Sequence, residues 1–175
     1  MENTIVADKL NRILKENGTR YEGLLHAEAL TAQGGEAAEG EHVFGKEVAK
    51  VVMLKSDGRN VLVVIPVTET LDEGKVKKIL ASSELRLATR HEFQDLFYGC
   101  EIGAMPPSGH LYGIPIYMDR ALADNAEIVF NAGPHRSAVR MPFPEYQRLA
   151  KPRICELTKT GWKAAWQDAR KTRKN

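Results

Sequence analysis

Residues 47–67, EVAKVVMLKSDGRNVLVVIPV, constrain the fold more than any other stretch of the chain. Two runs rich in β-branched residues, 47–55 and 61–67, flank SDGRN, and its Asp57-Gly58 pair is a hairpin-turn signature. The sequence therefore predicts two antiparallel strands in immediate succession. Side chains alternate along a strand, so Lys50 falls on the same face as Val48, Val52 and Leu54. An ammonium on an apolar face is costly when desolvated unless it finds an anion or hydrogen-bond acceptors. Lys55, next to the turn, can extend its stem to solvent. Lys50, in mid-strand between Ala49 and Val51, fits that explanation poorly. It marks either an edge strand, where lysine is tolerated, or a functional site.

The remaining elements surround this hairpin. Ile5, Leu10, Ile13 and Leu14 recur near helical spacing, and Asn17-Gly18 ends a helix predicted over 4–17. Residues 21–45 read as an irregular segment around Gly34-Gly35. Thr70 is a candidate cap for a helix over about 71–81 with Val76, Ile79 and Leu80 inward. A short strand at 85–88 and a short helix at 91–97 precede a Gly- and Pro-rich loop at 99–111. YGIPIYM (112–118) reads as a strand at an edge or bulge because of Pro115. Strands at 127–133 and 137–141 follow, and Pro142 and Pro144 open a last helix running to about 158. Hairpin-linked strands with segregated helices indicate an α+β fold around one mixed sheet.

Charge is unevenly placed. Residues 151–175 carry eight Lys/Arg against Glu156 and Asp168, whereas the other 150 residues are net acidic. A basic tail bearing Trp162 and Trp166 can contact a polyanion, or simply be a solvated helix end. No apolar run reaches the roughly 18–20 residues that span a bilayer, and the N-terminus lacks the pattern of a signal peptide. Cys100 and Cys155 form neither a metal-like pair nor a disulfide framework. A cytoplasmic protein without a membrane partner is the expectation.

Familiar chemistries find little support. There is no GxGxxG or phosphate-binding Walker loop, and no G-x-S-x-G elbow that would make Ser108 a nucleophile. The cysteines lack an activating context, and the five histidines lack metal-ligand spacing, so no metal or cofactor is expected. What remains is Lys50, the loop Gly103-Ala104-Met105-Pro106-Pro107-Ser108-Gly109, and the turn Asn131-Ala132-Gly133-Pro134-His135. The loop can present preorganised backbone N–H and C=O groups to a small ligand. His135 can carry a proton or bond a substrate, although turn histidines often do neither. An enzyme built from these parts works without a conventional nucleophile.

Taken in order, HVFGKEVAKVVMLKSDGRNVLVVIPV, GAMPPSG, IYMD and IVFNAG resemble the YbaK / prolyl-tRNA synthetase-associated domain family of aminoacyl-tRNA deacylases over about residues 20–157. The resemblance implies one α+β domain, 1–157, with a strongly bent, partly closed mixed sheet, flanking helices and an N-terminal helix at 1–19. Residues 158–175 fall outside it as a basic helical tail. It further implies a free-standing enzyme that hydrolyses the ester of mischarged tRNA, with no metal. On this resemblance Lys50 is the functional lysine and Gly103, Ala104, Met105, Pro106 and Pro107 hold the aminoacyl group. Asn131, Gly133 and His135 lie at the pocket rim. Partners would be aminoacyl-tRNA and a synthetase, with no DNA. The rival expectations are a non-catalytic tRNA- or synthetase-binding module on the same fold, and a metal-dependent hydrolase.

Overall fold

The computed structural model describes residues 5–25, 45–97, 105–132 and 137–159. The tight hairpin forms as expected. Strands β2 (Ala49–Ser56) and β3 (Arg59–Pro66) pair antiparallel from Ala49↔Pro66 to Ser56↔Arg59. Asp57 and Gly58 take φ of 48° and 82°, the left-handed pair that a two-residue turn requires.

Helix α1 (Ile5–Glu16) buries Leu10 and Leu14. It ends where Gly18 adopts a φ of 60°, with Gly18 N donating to Lys15 O and Thr19 N to Leu14 O. That pair of bonds is the usual glycine-dependent helix stop. The chain continues through β1 (Glu22–Leu25), the hairpin, α2 (Glu73–Ile79), β4 (Leu85–Leu87) and α3 (Arg90–Phe93). Then come β5 (Ile116–Asp119), α4 (Arg120–Ala123), β6 (Glu127–Asn131), β7 (Ser137–Pro142), α5 (Phe143–Ala150) and β8 (Arg153–Cys155).

The class is α+β, but the expected single sheet is two. One is antiparallel, in the order β1-β7-β6; the other is mixed, in the order β4-β2-β3-β5-β8. Among the described residues one parallel bridge, Val48↔Val129, joins them. Residues on one face of β2 and β3 (Ala49, Met53, Leu62 and Val64) enter the main core. There they join Leu10 and Leu14 of α1, Phe130 of β6, and Phe143 and Tyr146 of α5. Leu54, Val61, Val63 and Ile65 on the other face pack with Val76 of α2 and Leu157.

Several boundaries differ from expectation for identifiable reasons. Asp72, not Thr70, caps α2, its carboxylate accepting from Lys75 N at 3.0 Å. Val76 is fully buried, but Ile79 stays 40% exposed rather than pointing inward. Pro115 does not mark an edge. β5 begins after it and lies between β3 and β8, parallel to both, while the Pro115 carbonyl accepts from Leu62 N at 3.0 Å. The last helix stops at Ala150, where Lys151 turns left-handed (φ 47°) ahead of Pro152, and β8 occupies what was read as its second half. Thr158 and Lys159, assigned by sequence to the tail, are still tied to the body through Leu71↔Thr158 and Lys159 N to Thr70 O. The rest of the tail lies outside the described residues. Among the described residues no helix is long and apolar enough to cross a membrane.

Candidate active site

Alternation places Lys50 where the sequence did, and its surroundings explain the anomaly. It faces Ile65 across the hairpin and is half-buried. Val48 on one side of it belongs to a small cluster with Leu24, Val129 and Ala138. Val52 and Leu54 on its other side belong to the cluster under α2. The ammonium thus interrupts an apolar face and divides it in two. Among the described residues its partner is one carbonyl, Glu69 O in the loop after β3, at 3.3 Å. That is a long bond for an ammonium.

Asn131 shares this neighbourhood. Val48 and Val129 are bridged in parallel, and Lys50 and Asn131 each stand two residues further along their strands, on the same side as the bridged valines. Asn131 is 8% exposed, and its Oδ1 is buried without a hydrogen-bond partner. A buried amide oxygen left unmatched costs stability unless a ligand or water answers it. Two incompletely satisfied polar groups therefore stand at corresponding positions of neighbouring strands, at the junction of the two sheets.

More charge gathers farther along this side. Arg140, on the same face of β7 as Ala138, lies 3.5 Å from Glu22 and 4.0 Å from Glu127. Glu47, just before the bridge, has its pKa raised by burial and by the neighbouring Glu127 carboxylate.

The described half of the Gly- and Pro-rich loop, Met105 to Gly109, is buried and anchored at three points. Met105 packs its side chain into the main core. Pro107 gives its carbonyl to the Tyr146 hydroxyl of α5 at 2.7 Å. Gly109 approaches its neighbours so closely that a Cβ there would lie 2.6 Å from Ile114 O and 2.9 Å from Ile116 Cγ1. Ser108 N also donates to Pro106 O at 2.7 Å, tightening the turn. Met105 as a side chain therefore belongs to the core, on the face of β2 opposite Lys50. Gly103, Ala104, Gly133 and His135 lie outside the described residues.

Sequence reasoning missed Tyr146. Its ring follows the helical spacing of a core position beside Phe143 and Ala150, and nothing local signals that its hydroxyl reaches Pro107. Among the described residues no group of three or more His, Cys, Asp or Glu is placed to hold a metal ion. Cys155 is a poor nucleophile, since burial and the nearby Asp119 push its thiol up to about 11.

This fold is that of a family of aminoacyl-tRNA editing domains. The family model described as aminoacyl-tRNA editing domain matches residues 26–149, and the chain belongs to that family. Among curated proteins it is similar to the Multifunctional Ser/Thr-tRNA deacylase ProXp-y of Escherichia coli strain K12. That match is 23% identical over 160 residues, covering 90% of this chain and 95% of the relative. A solved structure provisionally assigned as a trans-editing enzyme for prolyl-tRNA synthetase aligns with a TM-score of 0.72 and 25% identity. It covers 89% of this chain and 98% of that one. A solved hypothetical protein aligns with a TM-score of 0.73 at 20% identity, over 86% and 99% of the two chains, and supports the fold alone.

Proposed function

We propose that the protein is a trans-editing aminoacyl-tRNA deacylase that hydrolyses the ester of mischarged tRNA, with Lys50 positioning the tRNA 3′ end. The observation that carries this reading is the paired placement of Lys50 and Asn131 at the sheet junction, both poorly satisfied by the protein itself. The similarity to a Ser/Thr-tRNA deacylase over 95% of its length supports the reaction class and puts small hydroxyl-bearing amino acids first. The solved relative named for prolyl-tRNA synthetase supports a synthetase as functional partner. The site of action is the cytoplasm.

In the proposed reaction water attacks the aminoacyl carbonyl. The free ribose hydroxyl of the substrate orients that water and relays its proton to the departing ribose oxygen as the ester C–O bond breaks. The free amino acid and tRNA are left, so no protein nucleophile or metal is required. Lys50 exchanges its long bond to Glu69 O for the terminal phosphate or the ester, contributing charge and orientation. The segment Gly103, Ala104, Met105, Pro106 and Pro107 holds the aminoacyl group, its two prolines as a rigid wall, and adjacent amides stabilise the developing oxyanion. Asn131 Oδ1 is an acceptor for a substrate donor. Gly133 and His135 complete the rim. Selectivity is steric: small side chains enter and larger ones do not.

The test is deacylation of Ala-, Ser-, Cys-, Thr- and Pro-tRNA, 3′-labelled, by wild type and Lys50→Ala with EDTA present. The expected outcome is turnover of one or two species, unaffected by chelator and lost in the variant. Bound tRNA with no turnover of any species would instead favour the non-catalytic binding module. Turnover abolished by EDTA would favour the metal-dependent hydrolase.

A further inference from the structure

The residues around Pro107 leave few degrees of freedom. Neither Pro106 nor Pro107 has an N–H, so their backbone polar groups are two carbonyls. Ser108 N takes the first at 2.7 Å and the Tyr146 hydroxyl takes the second, also at 2.7 Å. Tyr146 is 3% exposed, and its ring lies 5.9 Å from Phe130 and 6.1 Å from Phe143. A phenylalanine would serve that packing equally well. The hydroxyl is therefore specific to the loop: among the described residues the buried Pro107 carbonyl has no other partner. Burial also drives the phenol's pKa well above its ordinary value, so it remains a donor wherever the protein is folded.

We propose that Tyr146 is a positioning residue for amino-acid selectivity, fixing the Met105–Pro107 segment from α5. This inference rests on the deacylase reading and specifies one of its parts. A steric filter separates side chains that differ by one methyl only if its wall holds still, and such a filter yields about 10–200-fold discrimination. Met105 and Gly109 secure the two ends of the buried segment, and Tyr146 secures its middle.

The experiment compares kcat/KM for Ser-tRNA and Thr-tRNA, which differ by a methyl, in wild type, Tyr146→Phe and Val76→Ala. Val76 lies in the separate cluster under α2 and controls for lost stability alone. In Tyr146→Phe the ratio between the two substrates should shrink by roughly three- to tenfold. In Val76→Ala the melting temperature should fall while the ratio holds. Placing 4-aminophenylalanine at position 146 restores a donor and should restore the ratio. An unchanged ratio in Tyr146→Phe, an equal change in Val76→Ala, or no rescue by the amino analogue would each overturn the proposal. Absence of turnover in wild type across the whole aminoacyl-tRNA panel would instead overturn the deacylase reading, and this inference with it.

Discussion

The two ends of β2 treat their charged groups differently. At the turn, the Asp57 carboxylate accepts from Ser83 N at 3.1 and 3.2 Å and from Glu84 N at 2.8 Å, and Lys55 Nζ reaches Gly58 O. Nearby, Arg86 and Glu92 form a two-pronged pair at 2.9 and 2.6 Å, and Glu92 also accepts from Thr89 N. At the other end Lys50 has its one long bond and Asn131 Oδ1 has none. At the turn end the carboxylates are answered by the protein itself, Lys55 is solvent-facing with a 3.4 Å bond, and among the described residues there only the Asn60 Oδ1 lacks a partner. At the junction end the polar group that is incompletely answered is a half-buried ammonium, beside a buried amide oxygen.

Four measurements test that contrast, beginning with the largest effect. Lys50→Ala should lower deacylation kcat/KM by about 100-fold or more, the scale of losing a key electrostatic contact. Its melting temperature should hold or rise, because the replacement removes a half-buried charge with little to satisfy it. Lys55→Ala should change neither quantity. Equal losses from both lysines would erase the distinction between the two ends.

Gly109→Ala comes next. The new methyl meets a backbone carbonyl, which cannot yield as a side chain can, so a loss of about 1–3 kcal/mol in denaturant unfolding is expected. Third, Asp57→Ala should cost about 1–2 kcal/mol through three lost amide contacts and a left-handed φ that alanine disfavours. Its turnover per folded molecule should match wild type. A Lys50-like loss of turnover from Asp57→Ala would show that the turn end is functional.

The smallest effect is in pH dependence, where the two ends should slope oppositely. Bonds from Arg86 and Thr89 hold Glu92 well below the usual carboxylate range. Its contribution is therefore present above the ordinary carboxylate pKa of about 4.3 and is lost as pH falls below it. Burial and Glu127 raise Glu47, so the folded state binds that proton more tightly than the unfolded chain does. Its contribution is present at low pH and is lost as pH rises through the raised pKa. In melting curves from about pH 3 to 7, Glu92→Gln should lessen the acid-side loss. Glu47→Gln should gain on wild type toward neutrality.

How much of this the chain declares in its letters follows from the range of each interaction. The β2–β3 hairpin is legible because its turn residues and alternation are local, and Lys50 stands out against that alternation. β1 is invisible as four residues, EGLL, whose partner β7 lies near the other end of the chain. β8 is hidden behind a helix that looks longer than it is; Lys151 and Pro152 signal the break only in hindsight. Pro115 misled because proline argues against a strand interior, whereas here it sits one residue before the strand. At the site, Lys50 and the glycine-proline loop could be picked out by composition. The pairing of Lys50 with Asn131 and the hold of Tyr146 on Pro107 are tertiary facts without a local signature.

The rung between the sheets has a thermodynamic consequence. Lys50 draws its backbone order from the eight pairs of the hairpin, and Asn131 from its ladder with β7, so each is held by its own sheet although the two sheets share the main core. A ligand gripped by both acts as a suture across the seam. Its binding free energy adds to the cohesion of the native state by mass action, and saturating product should raise the unfolding temperature. The unmatched groups that weaken the empty protein at this seam are the same ones that would strengthen the occupied one.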